Sequence, residues 1–568
     1  MRRSLRHSGR LLQVVAVVCA CVALRAVAGP VWQTNGAPVC AVSGVQETPN
    51  LASLGADGMI VVWADRRSEE YDIYAQRMDA RGAEVWAAGG VAICTATYDQ
   101  QFPAVVPDGS GGAIVVWQDG RLGDDGLEIY AQRVRANGTT VWQADGVPVC
   151  THLAGLTDPP TAFSHVVTSG GSGGAIVAWR DTRTDPVLGN TEIYAQRLDS
   201  NGAPLWTLDG VKLLGFGAQK WATRNPVIVP DGSAGAVVLW QDARNAQASA
   251  NDLYAQRVTA AGTVQWAVNG VVVCNAASDQ GYPGIVSLGG SAVVVVWEDR
   301  RSGNYDIYAQ KLDAVGAAQW NANGRLVCDS ANDQRTPRVV GDGAVGVITA
   351  WTDKRASSVY TDIYAQKLDA NGAPVWNSGG VAVCLAAGSQ TRIRMSAGDA
   401  GSALLSWMDT RGEATTAVYD LYSQTLDANG SLRWMAEGLP FAALAGTSQR
   451  MQQATGDGMG GLYVVWEDDR NAGDWDIYAQ RLSPHTPVSG IVESKGRPDG
   501  MLISLPARVV TAAFDGYFYI QEPDRSAGIK IVSPEAVSPG DLVTVAGTIQ
   551  TDSERYISAS FVSKITAP

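Results

Sequence analysis

Eight times along the chain a tryptophan is followed two and four residues later by Asp and Arg, at Trp63, Trp117, Trp179, Trp240, Trp297, Trp351, Trp407 and Trp466. The spacing is 54 to 62 residues. A repeat of this period, built from short apolar runs and Gly-rich turns, fits propeller blades and not a helical solenoid. After each tryptophan come an acid, an aliphatic residue, a tyrosine and, two later, a glutamine, as in Asp306-Ile307-Tyr308-Ala309-Gln310. A second tryptophan series runs through Trp86, Trp142, Trp206, Trp266, Trp320, Trp376 and Trp434, with Trp32 as its eighth member at the other end. Sixteen of the 18 tryptophans are therefore repeat positions.

One unit reads as four strands: a at 103–106, b at 113–119, c at 128–134 and d at 141–150. Strand c alternates, with Ile, Ala and Arg on one side and Asp, Tyr, Gln and Leu on the other, whereas strand b is continuously apolar, as a strand covered on both faces should be. Turns such as Pro107-Asp108-Gly109 and Asn201-Gly202 supply the residues that tolerate positive φ. The first repeat segment, ending at Cys40, is a strand d and the last, ending at Leu482, is a strand c. The expected fold is thus all-β: an eight-bladed propeller closed by a three-plus-one strand clasp, over residues 29–483, since closure removes sheet edges.

Ahead of the repeats, residues 1–28 carry Arg2, Arg3, Arg6 and Arg10, an apolar run from Leu11 to Leu24, and Ala26-Val27-Ala28. This fits a secretory signal peptide, too short for a stable membrane span. An acylated Cys21 is the alternative. Without this leader's five arginines the net charge of −13 becomes −18, so nucleic acid is not an expected partner of the propeller. We expect an extracytoplasmic monomer that is secreted, periplasmic or at the cell surface. Cys40, Cys94, Cys150, Cys274, Cys328 and Cys384 hold one equivalent place in six blades, too far apart for disulfides. They should be free and buried, and with only scattered histidines (His152, His165, His485) neither metal nor cofactor is expected.

The repeated Asp, Arg and strand-c acid, such as Asp65, Arg67 and Asp72, Asp299, Arg301 and Asp306, or Asp468, Arg470 and Asp476, have two readings. They could ring a ligand, or they could form an intrablade charge-assisted hydrogen-bond set that holds the hairpin, with each Arg near the acid that starts strand c and the Asp on the same face. Eightfold repetition favours structure, because a catalytic centre needs one constellation and not eight. Binding is expected on the face bearing the variable d-to-a and b-to-c loops. Aromatics gather there: Tyr71, Tyr305, Tyr419 and Trp475 before strand-c acids, Tyr360 one position earlier, and Trp221 and Tyr282 in d-to-a loops. Either each packs on a neighbouring Arg stem or they are stacking platforms for a sugar or peptide.

After a linker at 484–487, residues 488–568 alternate as a compact β pattern, including Gly516-Tyr517-Phe518-Tyr519-Ile520 and Pro539-Gly540-Asp541. This stretch resembles the oligonucleotide/oligosaccharide-binding small barrel of secreted bacterial proteins, implying an accessory or spacer domain. The W-x-D-x-R, DIYAQRLD-x-NG and VW-x-x-GG pattern is similar to secreted bacterial propeller repeat proteins of undetermined function. It lacks the Ser-x-Asp-x-Gly-x-x-Trp box of sialidases, the Gly-His to Trp-Asp signature of WD repeats and the integrin-type calcium loop. No catalytic residue is singled out. The leading expectation is a non-catalytic recognition or scaffold protein that binds a glycan or protein. The alternatives are a carbohydrate-active enzyme, glycoside hydrolase or lyase, with pattern-breaking carboxylates at the central opening, and a purely structural surface component.

Overall fold

The computed structural model describes residues 30–564 apart from 124–125, 152–161, 184–190, 215–222, 246–249, 412–417, 472–473, 485, 488–489 and 497–501. Residues 1–28, expected to be a leader, and Cys21 among them therefore lie outside the described residues, as does Trp221. Among the described residues eight four-stranded antiparallel sheets follow one another, and no helix is long and apolar enough to cross a membrane. Blade 1 consists of Gln46–Ser53, Met59–Asp65, Asp72–Met78 and Val91–Cys94, here called strands a to d. Blades 2 to 7 repeat this order. Blade 8 takes strands a to c from Gln449–Gly456, Leu462–Asp468 and Asp476–Leu482, and Ala37–Cys40 joins as its strand d, so the clasp closes the ring.

Strands b and c match the sequence reading in blade 2, Ala113–Asp119 and Glu128–Val134. Strand a is longer, Gln100–Pro107, and strand d is only Val147–Cys150. The cause of the shorter strand d is the buried glutamine of strand c. Gln132 accepts the Trp142 N–H at 2.9 Å and donates to the Gln143 carbonyl at 2.7 Å, so a side chain replaces the ladder and the chain turns instead.

The core lies between blades and not within them. Each cluster draws on two consecutive sheets, and the last joins blade 8 to blade 1, where Trp63 packs with Cys40, Ile477 and Ala479. Glycine is required at two repeated places. At Gly90, with φ 87°, a Cβ would lie 2.5 Å from the Trp63 ring. At Gly316, with φ 81°, it would meet the Trp266 ring at 2.7 Å, and that same indole donates to the Ala314 carbonyl at 3.1 Å. The second tryptophan series is thus an interblade latch, with Trp32, Trp86, Trp142, Trp206, Trp266, Trp320 and Trp376 each closing on the c-to-d turn of the next blade.

Beyond the ring, Leu502–Phe514, Tyr517–Gln521, Gly528–Val532, Arg555–Lys564 and Leu542–Thr551 pair in that order, and the last pairs back to the first, closing a five-stranded ring of strands. Thr486–Pro487, within the stretch read as linker, adds a short parallel pairing to Leu502–Phe514, and Ile491–Lys495 is helical.

Candidate functional site: the loop-face rim of the ring

The repeated charges form a closed set, seen in blade 5. Asp299, fully buried, accepts the Trp297 indole N–H at 2.8 Å on Oδ2 and the Arg301 backbone N–H and Nε at 3.0 and 2.9 Å on Oδ1. The Arg301 terminal nitrogen donates to Oδ2 at 2.5 Å, to the Asn323 carbonyl at 2.8 Å and to Cys274 Sγ at 3.1 Å. Its guanidinium lies 3.9 Å over Tyr308, which stacks on Trp297. The ion pair therefore forms within one strand end, with the acid that starts strand c close by in the same set. The hairpin register places Asp306 directly across from Asp299, and Ser302 Oγ caps Asp306 at 2.5 Å. The reason is reach: the Asp two residues before the arginine offers both oxygens to its planar fork. Asp65 with Arg67 and Asp468 with Arg470 repeat the pairing, while Ser68 caps Asp72 and Asn471 caps Asp476.

Burial raises the carboxyls of Asp72, Asp306 and Asp476 above the usual Asp range. It also pushes the Cys40, Cys94, Cys274 and Cys384 thiols up to about 12. These buried thiols are free and protonated, and arginines from the neighbouring blade donate to their sulfurs. Among the described residues no group of three His, Cys, Asp or Glu side chains could hold a metal ion.

The loop aromatics divide into two groups. Tyr71, Tyr305 and Trp475 lie against guanidiniums: Arg66 at 5.4 Å, Arg335 at 4.2 Å and Arg450 at 3.6 Å respectively. The two tyrosine hydroxyls are also occupied, with Tyr71 donating to Glu47 at 2.9 Å and Tyr305 to Asp279 at 3.2 Å. The backbone explains the placement. The carbonyls of Tyr71, Tyr305, Tyr419 and Trp475 each accept the N–H of the glutamine that starts the next blade, at 2.7 Å. Tyr419 is half-buried against the core between blades 7 and 8. Tyr282 and Tyr360 are more open, 49% and 54% exposed, although Arg335 also lies 5.9 Å over the Tyr282 ring. Tyr282 also sits in strand a, Gln280–Ser287, and not in the loop before it.

Sequence reasoning missed the role of that third place in strand a. The first strands of successive blades touch all round the ring, so they form its inner wall. Each has a bulge after its second residue, and Thr48, Phe102, Ser164, Tyr282, Thr336, Arg392 and Met451 take left-handed φ of 45 to 54° there. Such strain in non-glycine residues, two of them β-branched, persists only where surrounding contacts impose it. At Thr336 and Thr48 two acids that break the eightfold pattern hold the strained N–H. Glu298 accepts the Thr336 N–H at 2.8 Å and Arg335 at 2.7 Å, and Glu467 accepts the Thr48 N–H at 2.8 Å and Arg450 at 2.7 Å. The exposed ring of Phe102 joins Tyr282 in this tier. The legible signal was that residue types here differ from blade to blade while Gln46, Gln100, Gln280, Gln334, Gln390 and Gln449 recur two places earlier. On the same face a cavity of about 510 Å³ lies among Glu70, Tyr98, Gln101 and Gly123.

On the C-terminal unit Tyr517–Gln521 alternates as expected. Phe518 and Ile520 are buried, while Tyr517 and Tyr519 face outward with Phe514, stacked 4.9 Å from Tyr517, and with Lys530 4.8 Å over the Tyr517 ring.

Sheet order, clasp and interblade cores define an eight-bladed, all-β propeller protein. No family model and no curated protein matches the chain. Among solved structures it is similar to the polysaccharide lyase Uly1, with 9% identity over 80% of this chain and 93% of that one and a TM-score of 0.39. It is also similar to an α-L-arabinanase of Penicillium chrysogenum complexed with arabinobiose, with 11% identity over 80% and 98% and a TM-score of 0.32. A Hadza microbial sialidase, Hz136, gives 11% identity over 62% and 74% and a TM-score of 0.34. What this chain does must be read from its own residues.

Proposed function

We propose that the protein is an extracytoplasmic, non-catalytic recognition module that binds a glycan through the variable-loop face of its propeller. One observation carries this reading: the repeated charges are spent on one another, while the exposed aromatics Phe102, Tyr282 and Tyr360 are left at non-repeating positions on the loop face. Aromatic rings of this kind stack on the apolar faces of sugar rings. The C-terminal unit, which resembles an oligonucleotide/oligosaccharide-binding barrel, would serve as an accessory domain.

The enzymatic alternative places chemistry on the pattern-breaking acids. Burial does raise the Glu467 carboxyl above its usual range, as a general acid requires. Yet Glu467 and Glu298 are each held by an arginine and a bulge N–H, an arrangement that serves to fix the backbone.

The test is to incubate the purified protein with an immobilised glycan array and read retention and released fragments from the same wells. Retention without fragments supports the proposal, and Phe102→Ala with Tyr282→Ala should then cut retention at least fivefold at unchanged melting temperature. Released fragments would overturn it in favour of catalysis. No retention at all would leave a structural surface component.

A further inference from the structure

The inner wall of the ring carries a second non-repeating feature. Arg338 and Arg394 hold the fifth place of strand a in the adjacent blades 6 and 7, opposite Ala350 and Ser406. In the other blades that place is Asn50, Ala104, Val166, Val227, Gly284 or Gln453, none of them charged. Ala350 and Ser406 stand where blades 1, 2, 5 and 8 have valine, so there is room for the two arginine stems.

Their contacts are unlike those of the repeat arginines. Arg355 and Arg411 of the same blades hold an Asp at 2.6 and 2.5 Å. Arg338, in contrast, donates to the Pro337 carbonyl at 3.0 Å, and Arg394 donates to Gln453 Oε1 at 2.9 Å and to the Ile393 carbonyl at 3.1 Å. All three acceptors are neutral. Burial first, and then the positive charges of Arg338 and Arg392, push Arg394 down to about 9. Burial lowers Arg338 as well, with Glu298 acting the other way. Both residues are half-buried, and Arg392 is exposed at the strained third place of the strand that carries Arg394. Guanidiniums crowded in this way, with N–H donors unspent, form a site that an anion would stabilise.

We propose that Arg338 and Arg394, with Arg392 at the mouth, bind the carboxylate or sulfate of an acidic oligosaccharide entering from the variable-loop face. This rests on the glycan-binding reading above and names its substrate class. A sugar is favoured over an acidic peptide because Phe102 and Tyr282 stand in the same tier as Arg392, pairing stacking surfaces with a charge site.

Calorimetric titration of the full-length protein with tetragalacturonate, a sulfated chondroitin tetrasaccharide, neutral cellotetraose and tetraglutamate tests this. An acidic sugar should bind with an affinity that falls steeply with salt. The double variant Arg338→Gln, Arg394→Gln should weaken it at least tenfold without changing cellotetraose binding. Arg392→Gln, on an exposed side chain whose loss leaves the core intact, should weaken it at least threefold and serves if the double variant fails to fold. The carboxylated and sulfated probes separate the two anion sources. Tetraglutamate binding as tightly as the sugars, or acidic sugars binding these variants as they bind the native protein, overturns the proposal. Binding of neutral sugars with no acidic preference overturns it too but leaves the loop-face reading standing, whereas failure of every sugar to bind sinks both.

Discussion

Arg301→Ala removes the cationic half of the set that closes the b-to-c end of blade 5. It leaves the Asp299 carboxylate fully buried, with the Trp297 indole, one backbone N–H and the Cys274 thiol at 3.7 Å as its remaining donors. It also strips the Asn323 carbonyl and the Tyr308 face of their cation. Because the arginine side chain is only 22% exposed, solvent screening reduces the effect little. Breaking such a pair while one charge stays buried costs about 3 kcal/mol. At roughly 2 °C per kcal/mol for a large domain, the melting temperature should fall by about 6 °C in a calorimetric scan. The double variant Asp299→Asn, Arg301→Ala removes the stranded charge as well and should recover part of the loss. A melting temperature within 1 °C of the native protein, combined with lost glycan retention, would refute the structural role and return the Asp and Arg ring to the ligand.

Three further outcomes follow from the packing. Gly316→Ala forces a Cβ into the Trp266 ring at a left-handed residue, whereas Gly303→Ala, also left-handed, meets open space. The first should cost about 3 kcal/mol and the second about 1 kcal/mol in denaturant titrations, and equal losses would show that the latch contributes nothing. The thiols of Cys40, Cys94, Cys150, Cys274, Cys328 and Cys384 should resist a disulfide reagent at pH 8 in the native state and react once the chain is unfolded. Rapid native labelling of any of them would contradict their burial. Burial pushes His165 down to about 4 from 6.5, so the unfolded chain takes up this proton first on acidification. Stability should therefore fall as pH drops from about 6.5 to 4, and His165→Leu should lose less over that window. An identical pH slope in both proteins would show that His165 contributes none of it.

Much of the architecture was legible because the chain states it eight times. Strands b and c were placed to the residue in blade 2, since a continuous apolar run and a period-two run each have one reading beside Gly-rich turns. Strand d was overextended, because alternation does not reveal that Gln132 would satisfy the backbone of 142–143 with its side chain. The candidate rim was legible only in part. Tyr71, Tyr305 and Trp475 stand out as aromatics but lie under arginines, and whether a ring is covered is decided by residues of the neighbouring blade, such as Arg335 for Tyr305. Phe102 and Arg392 are marked in the sequence only as a non-repeating place two residues after a recurrent glutamine, and the bulge that sets their backbone is not announced by a string of side chains.

The sequence by itself determined the number of blades, the strand that closes the ring and the equivalence of the six cysteines, because these follow from period and count. Tertiary structure decided which acid each repeat arginine takes, which aromatics stay open, and that Arg338 and Arg394 share one wall. The physical reason is that propeller cores form between sheets. A residue's environment is therefore supplied by a blade some sixty positions away in the chain, and contact at that distance is set by closure of the ring and not by local pattern.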